Sequence, residues 1–84
     1  MKLRVALAQI NPTVGDLEGN AALILAHAES AANNSAHVAL FPEMALTGYP
    51  VEDLALRPSF QVASAKSIEV LAAALPPKLV SIVG

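Results

Sequence analysis

The sequence predicts an α/β fold with parallel strands. Three short apolar stretches, near residues 3–10, 38–41 and 78–83, alternate with two longer stretches of helical spacing, 20–33 and 58–75. A strand–helix–strand–helix–strand order leaves crossovers long enough to bring each strand back parallel to the one before it. The first strand is also apolar on both sides, as strands covered on both faces are.

The elements follow in order. Residues 3–10 read as the first strand, with Leu3, Val5 and Leu7 on one side and Ala6, Ala8 and Ile10 on the other. Asn11-Pro12 and Val14-Gly15-Asp16 make a loop of turn residues. Asn20 is the expected N-cap of a helix running to about Asn33. Its apolar arc holds Ala21, Ile24, Leu25, Ala28 and Ala32. Asn33-Asn34-Ser35 is the expected stop, because Asn tolerates the left-handed conformation. Val38–Phe41 form the second strand. A loop from Pro42 to Pro50 and a short turn at Glu52–Leu56 lead to Pro58, well suited to the first position of the second helix. That helix extends to about Leu75, with Phe60, Ala63, Ser67, Val70, Leu71 and Ala74 on one arc and Lys66 and Glu69 opposite. Pro76-Pro77 ends it, and Lys78–Val83 form the third strand. Three strands and two helices leave one sheet face and a sheet edge uncovered.

Composition limits the function classes. The 84 residues suffice for one small domain, which would bury roughly 60–65% of its unfolded surface. Hydrophobic residues make up 55%, but seventeen are alanines, so the number of large core side chains is ordinary. Charged residues are only 14%, about half the usual share. A small free-standing domain has much surface to solvate, so this deficit points to a surface that is meant to be covered. A net charge of −2 argues against nucleic-acid or anionic-membrane partners. The absence of cysteine excludes a disulfide framework, a thiolate metal site and a cysteine nucleophile within these residues. The apolar run Ala21–Ala26 is far below the roughly 20 residues of a spanning helix. Lys2 and Arg4 ahead of Val5–Ala8 only faintly imitate a signal peptide, since Gln9, Asn11 and Pro12 interrupt the run. A cytoplasmic origin is expected.

The chemistry centres on Glu43. It follows directly on the second strand, and in sheets flanked by helices ligands gather at the carboxyl ends of the strands. Pro42 stiffens the strand's exit, Gly48 permits a tight return, and Pro50 fixes the next turn. Tyr49, six residues on, is placed for its hydroxyl to approach the carboxylate. A carboxylate held in such a loop is a candidate general base, whereas a Glu on an unconstrained strand end is ordinarily a solvated surface charge.

Phe41-Pro42-Glu43 followed by Leu46-Thr47-Gly48-Tyr49 resembles the first catalytic motif of the nitrilase, or carbon–nitrogen hydrolase, superfamily. Gln9-Ile10-Asn11-Pro12, Val14-Gly15-Asp16 and Asn20 look like its opening segment. The run Gly48-Tyr49-Pro50-Val51-Glu52-Asp53-Leu54-Ala55-Leu56-Arg57-Pro58-Ser59-Phe60 is similar to the amidase domain of glutamine-dependent NAD synthetases. Val51 is a mild departure, standing where many relatives are expected to have a second proline. The resemblance implies that these strands and helices are part of a four-layer α-β-β-α sandwich. It also implies a Glu–Lys–Cys mechanism, in which a cysteine attacks the glutamine amide and a glutamate serves as general base. A lysine stabilises the oxyanion. Ammonia then passes to a C-terminal domain that uses ATP, with Mg2+, to amidate deamido-NAD.

Carried over by position, the resemblance assigns Glu43 as the base and Tyr49 to the glutamine pocket. It assigns no metal and no cofactor to these residues. The nucleophile and the catalytic lysine are expected beyond Gly84, since Lys66 lies on a polar helix face and Lys78 opens a strand far from the loop. Residues 1–84 therefore read as an N-terminal fragment of a glutaminase domain, inactive alone. Its expected partners are glutamine, the remainder of its own domain, the synthetase domain and further copies of the full-length chain. Alternatives are a fragment of another nitrilase-type amidase and a non-catalytic α/β interaction module. His27 and His37 lack partners at metal-ligand spacing. Asp16 and Glu18 read as turn and capping residues. Glu52 and Asp53 are expected to open a short helix, and Arg57 to pair with one of them.

Overall fold

The computed structural model describes residues 2–50 and 52–84. Strands β1 (Val5–Leu7), β2 (Val38–Leu40) and β3 (Val80–Ile82) alternate with helices α1 (Leu17–Asn33) and α2 (Pro58–Ala74). A 3-10 turn, Glu52–Leu56, precedes α2. The strands form one parallel sheet in the order β1-β2-β3. Successive crossovers of the usual right hand put both helices on the same side of such a sheet, and α1 and α2 pack against each other.

The register aligns three rows across the sheet. Ala6, Ala39 and Ser81 form the middle row, and side chains in a row share a face. Ala39 is fully buried, with Ile24, Ala28 and Ala31 of α1 and Leu71 of α2 in the same cluster. Small residues in this row let the helices lie close to the sheet. The flanking rows, Val5–Val38–Val80 and Leu7–Leu40–Ile82, point the other way. Among the described residues no helix covers them: Leu7 is 73% exposed, Val80 59% and Ile82 53%. The expected two-sided apolar strand is therefore present in sequence, but only one face is covered within these residues. The strands are also shorter than expected, because the parallel ladder spans only three residues of each apolar stretch.

Helix α1 ends at Asn33, as expected, but starts earlier than expected and stops on a different left-handed residue. It starts at Leu17, and its N-cap is Asp16, not Asn20. The Asp16 carboxylate accepts the Gly19 N–H at 3.0 Å, satisfying one of the orphan donors of the first turn. At the other end the left-handed residue is Ser35, at φ 62°, rather than an Asn. Ala36 N–H donates to Ala31 O and Ser35 N–H to Ala32 O, both at 3.0 Å, the paired bonds of a Schellman stop. The Asn34 side chain instead donates to Ser30 O at 2.8 Å. The Arg4 guanidinium donates to Asn34 O at 2.7 Å, placing a cation at the negative end of the helix dipole.

Helix α2 begins as expected, with Pro58 in its first turn after an extended Arg57. It ends at Ala74; Leu75 is extended, as a residue before proline is required to be. Its inward face is rotated from the expected arc. Phe60, Ser64, Ser67 and Leu71 are buried or half-buried, while Ala63, Val70 and Ala74 are exposed. Ser67 was on the expected arc, but Ser64 was not: a polar residue on the inward stripe hid its position from a reading of hydrophobic spacing. Among the described residues, no helix is long and apolar enough to cross a membrane.

Candidate functional site

Three chain segments meet at the carboxyl ends of the strands. The first is the loop 11–16 after β1, the second the turn 43–47 after β2, and the third the chain leaving β3. Ala8 N–H donates to Leu40 O at 2.9 Å and Phe41 N–H to Ile82 O at 3.0 Å. These bonds carry the ladder up to the residues just before Glu43. Gly84 runs so close that a Cβ there would come within 2.8 Å of the Glu43 Cα. Glu43 thus lies at the strand tips, where the sequence places it, beside the backbone that follows β3. Its side chain is exposed.

The turn that begins at Glu43 is tightly specified. Gly48 N–H donates to Met44 O at 2.7 Å, closing it. Met44 adopts a left-handed conformation, φ 54°, which costs a non-glycine residue about 1–2 kcal/mol. Such a conformation persists where the surroundings over-determine it. Ala45 and Leu46 are buried, anchoring the turn from beneath. Gly48 is at φ +83°, and a Cβ there would meet the Val14 backbone at 2.5 Å. Glycine is required at this position both for its dihedral and for the close approach of two main chains.

The two loops are joined by Asn20, the buried polar side chain of the domain's core, 1% exposed. Its Oδ1 accepts the Thr13 N–H at 2.8 Å. Its Nδ2 donates to Thr13 O at 2.7 Å and to Leu46 O at 2.8 Å. A third strap is Gly15 N–H to Thr47 O at 2.9 Å. A helical side chain leans toward its helix's N-terminus, so a residue one turn into α1 reaches back over the preceding loop. Sequence reasoning took Asn20 for a cap and missed this role. A signal was present: Asn20, Ile24, Ala28 and Ala31 share one face of α1, and a polar residue on a core stripe implies buried polar partners.

The other named residues separate from this centre. Tyr49 is 65% exposed, and among the described residues no hydrogen bond joins it to Glu43. The His37 ring accepts the Arg4 N–H through Nδ1 at 2.9 Å, while His37 N–H donates to Arg4 O at 2.8 Å. His37 therefore tethers the opposite, amino-terminal end of the sheet. His27 donates through Nδ1 to Leu23 O at 2.9 Å on the outside of α1. Among the described residues no three His, Asp or Glu side chains converge as a metal site. Lys66 and Lys78 are exposed on α2 and just before β3. The pairing of Arg57 with Glu52 or Asp53, and the departure at Val51, lie outside the described residues.

Among the described residues, two well-formed concavities contain neither Glu43 nor Tyr49. One, of about 300 Å³, lies beside β1 and the second half of α1, between Ala6, Ala31 and Asn34. The other, of about 430 Å³, is the furrow between α1 and α2, lined mostly by alanines, Leu25 and Val70. The geometry around Glu43, not cavity size, marks the chemically organised part of the molecule.

Comparison with known proteins bears on the same region. The family model described as carbon-nitrogen hydrolase matches residues 4–80. The glutamine-dependent NAD(+) synthetase of Synechocystis is 42% identical over 80 residues, covering 95% of this chain and 14% of its own length. That of Thermotoga maritima is 49% identical over 59 residues, covering 70% of this chain and 10% of its own. The structure of the glutamine-dependent NAD+ synthetase from Acinetobacter baumannii, in complex with ADP, superposes with a TM-score of 0.89 at 33% identity. It covers 98% of this chain and 15% of that one. The chain thus spans about a seventh or less of the length of these relatives.

Proposed function

The chain belongs to the carbon–nitrogen hydrolase family, and on that premise we propose that it is the N-terminal portion of the amidase domain of a glutamine-dependent NAD synthetase. In this reading the full-length protein hydrolyses the side-chain amide of glutamine. A separate ATP-dependent domain uses the released ammonia to amidate deamido-NAD to NAD. The relatives are synthetases rather than other amidases, which favours this reading over the broader superfamily assignment.

The contribution of these residues is the general base. The Glu43 carboxylate takes the proton of a cysteine thiol as sulfur adds to the amide carbon, and returns a proton to the departing ammonia. It then takes a proton from the water that cleaves the thioester. Tyr49 lines the glutamine pocket. The thiol and the oxyanion-stabilising lysine come from polypeptide outside this chain, which has no cysteine. In this reading ATP and Mg2+ are ligands of the synthetase domain.

The observation that supports this most is the placement of Glu43 at the strand tips, on a turn pinned at Leu46 and Thr47. The test is Glu43→Gln in the full-length protein. Glutamine-dependent NAD synthesis is expected to fall by about 10²–10⁴-fold, the usual worth of a general base, while synthesis from added ammonia persists. A variant that keeps most of its glutamine-dependent turnover overturns the assignment. The isolated 84-residue chain is expected to show no glutaminase activity above blank.

A further inference from the structure

We propose that Asn20 is a positioning residue for the reaction: it holds the Glu43 turn in its working place through Leu46. This rests on the function proposed above and extends it to a residue on a different element, 23 positions earlier in the sequence.

The three hydrogen bonds of Asn20 engage both amide protons and the carbonyl oxygen. Each partner admits only one assignment. Thr13 N–H requires an acceptor, so it faces Oδ1; the carbonyls of Thr13 and Leu46 require donors, so they face Nδ2. The side chain is therefore a fixed bracket between two loops. One arm is the helix-capping loop, rigid because Asp16 ties it to α1. The other arm is Leu46 O, within the turn that starts at Glu43. The strap from Gly15 to Thr47 holds the next residue of that turn, and among the described residues Leu46 O accepts from Asn20 alone. The turn also carries Met44 in a left-handed conformation next to Glu43, a strain that its anchors must hold. A base that moves by about 1 Å loses up to 10²-fold in rate. Asn20 touches no reacting atom, and its effect passes through the backbone of residues 43–46.

The experiment compares Asn20→Asp and Asn20→Ala with Glu43→Gln in the full-length protein. Asn20→Asp keeps the shape and the acceptor for Thr13 N–H, but turns an oxygen toward two carbonyls. Asn20→Ala removes the bracket without that repulsion and guards against a failure of the aspartate variant to fold. Each is expected to lower kcat for glutamine about 10–100-fold. KM for glutamine is expected to stay within about threefold, and the rate with added ammonia within about twofold. That pattern separates positioning from general damage. Equal losses with glutamine and with ammonia overturn the proposal, as does an unchanged glutamine kcat in either folded variant while Glu43→Gln is inactive. Full activity of Glu43→Gln overturns the functional reading and this inference with it.

Discussion

Asp16 and Asn20 show how closely a residue's role depends on its exact place in a turn. Both are short polar side chains at the start of one helix, and both belong to the residue types that favour caps. Asp16 caps because it lies three residues before the Gly19 N–H. Asn20, one turn later, has its own N–H bonded to Asp16 O, so its side chain is free to bridge loops. Asp16→Ala is expected to cost about 1 kcal/mol, read as a roughly fivefold loss of amide protection at Gly19 by hydrogen exchange. Asp16→Asn retains an acceptor and is expected to keep most of that protection. Cutting the cap is also expected to loosen the arm on which Asn20 closes.

At the scale of elements, the turn 43–47 is the organised feature. It is held by its own Gly48–Met44 bond, by Gly15, by Asn20 and by two buried side chains. Gly48→Ala tests the approach of the two loops without touching a polar group. Its Cβ would collide with the Val14 backbone, and its φ of +83° is unfavourable for alanine. The loops are expected to separate at a cost on the order of 2 kcal/mol. Faster exchange of the Gly15 amide, with a parallel fall in glutamine-dependent turnover, is the expected readout. The helices were legible in the sequence because their lengths, Pro58 and Pro76 are local signals. The inward stripe of α2 was not, because the polar Ser64 occupies it and only packing reveals that this residue turns inward in place of Ala63.

For the molecule as a whole, the outward rows of the sheet decide its behaviour. Val5, Val80, Leu7 and Ile82 are all exposed on one face, and an apolar patch of this kind marks a surface that associates. The isolated chain is expected to bind a hydrophobic dye such as ANS strongly and to self-associate on sizing chromatography. Leu7→Lys is expected to reduce both effects in the isolated chain, because it places a charge on the exposed edge strand of that face. In the full-length protein the same substitution is expected to abolish soluble expression or glutamine-dependent activity. A soluble, dye-silent monomer of the unmodified chain would show that this face needs no cover.

The sequence alone determined the order of elements, the parallel sheet and the location of Glu43 after β2, because these rest on local periodicity, on proline and glycine, and on contiguous motif residues. Tertiary structure decided which strand face is covered, which stripe of α2 turns inward, and that Asn20 braces the Glu43 turn. Each of these depends on which distant backbone groups meet in space. Chain neighbours do not encode such meetings: Asn20 and Leu46 are separated by 26 positions, and only folding brings one amide proton onto one carbonyl.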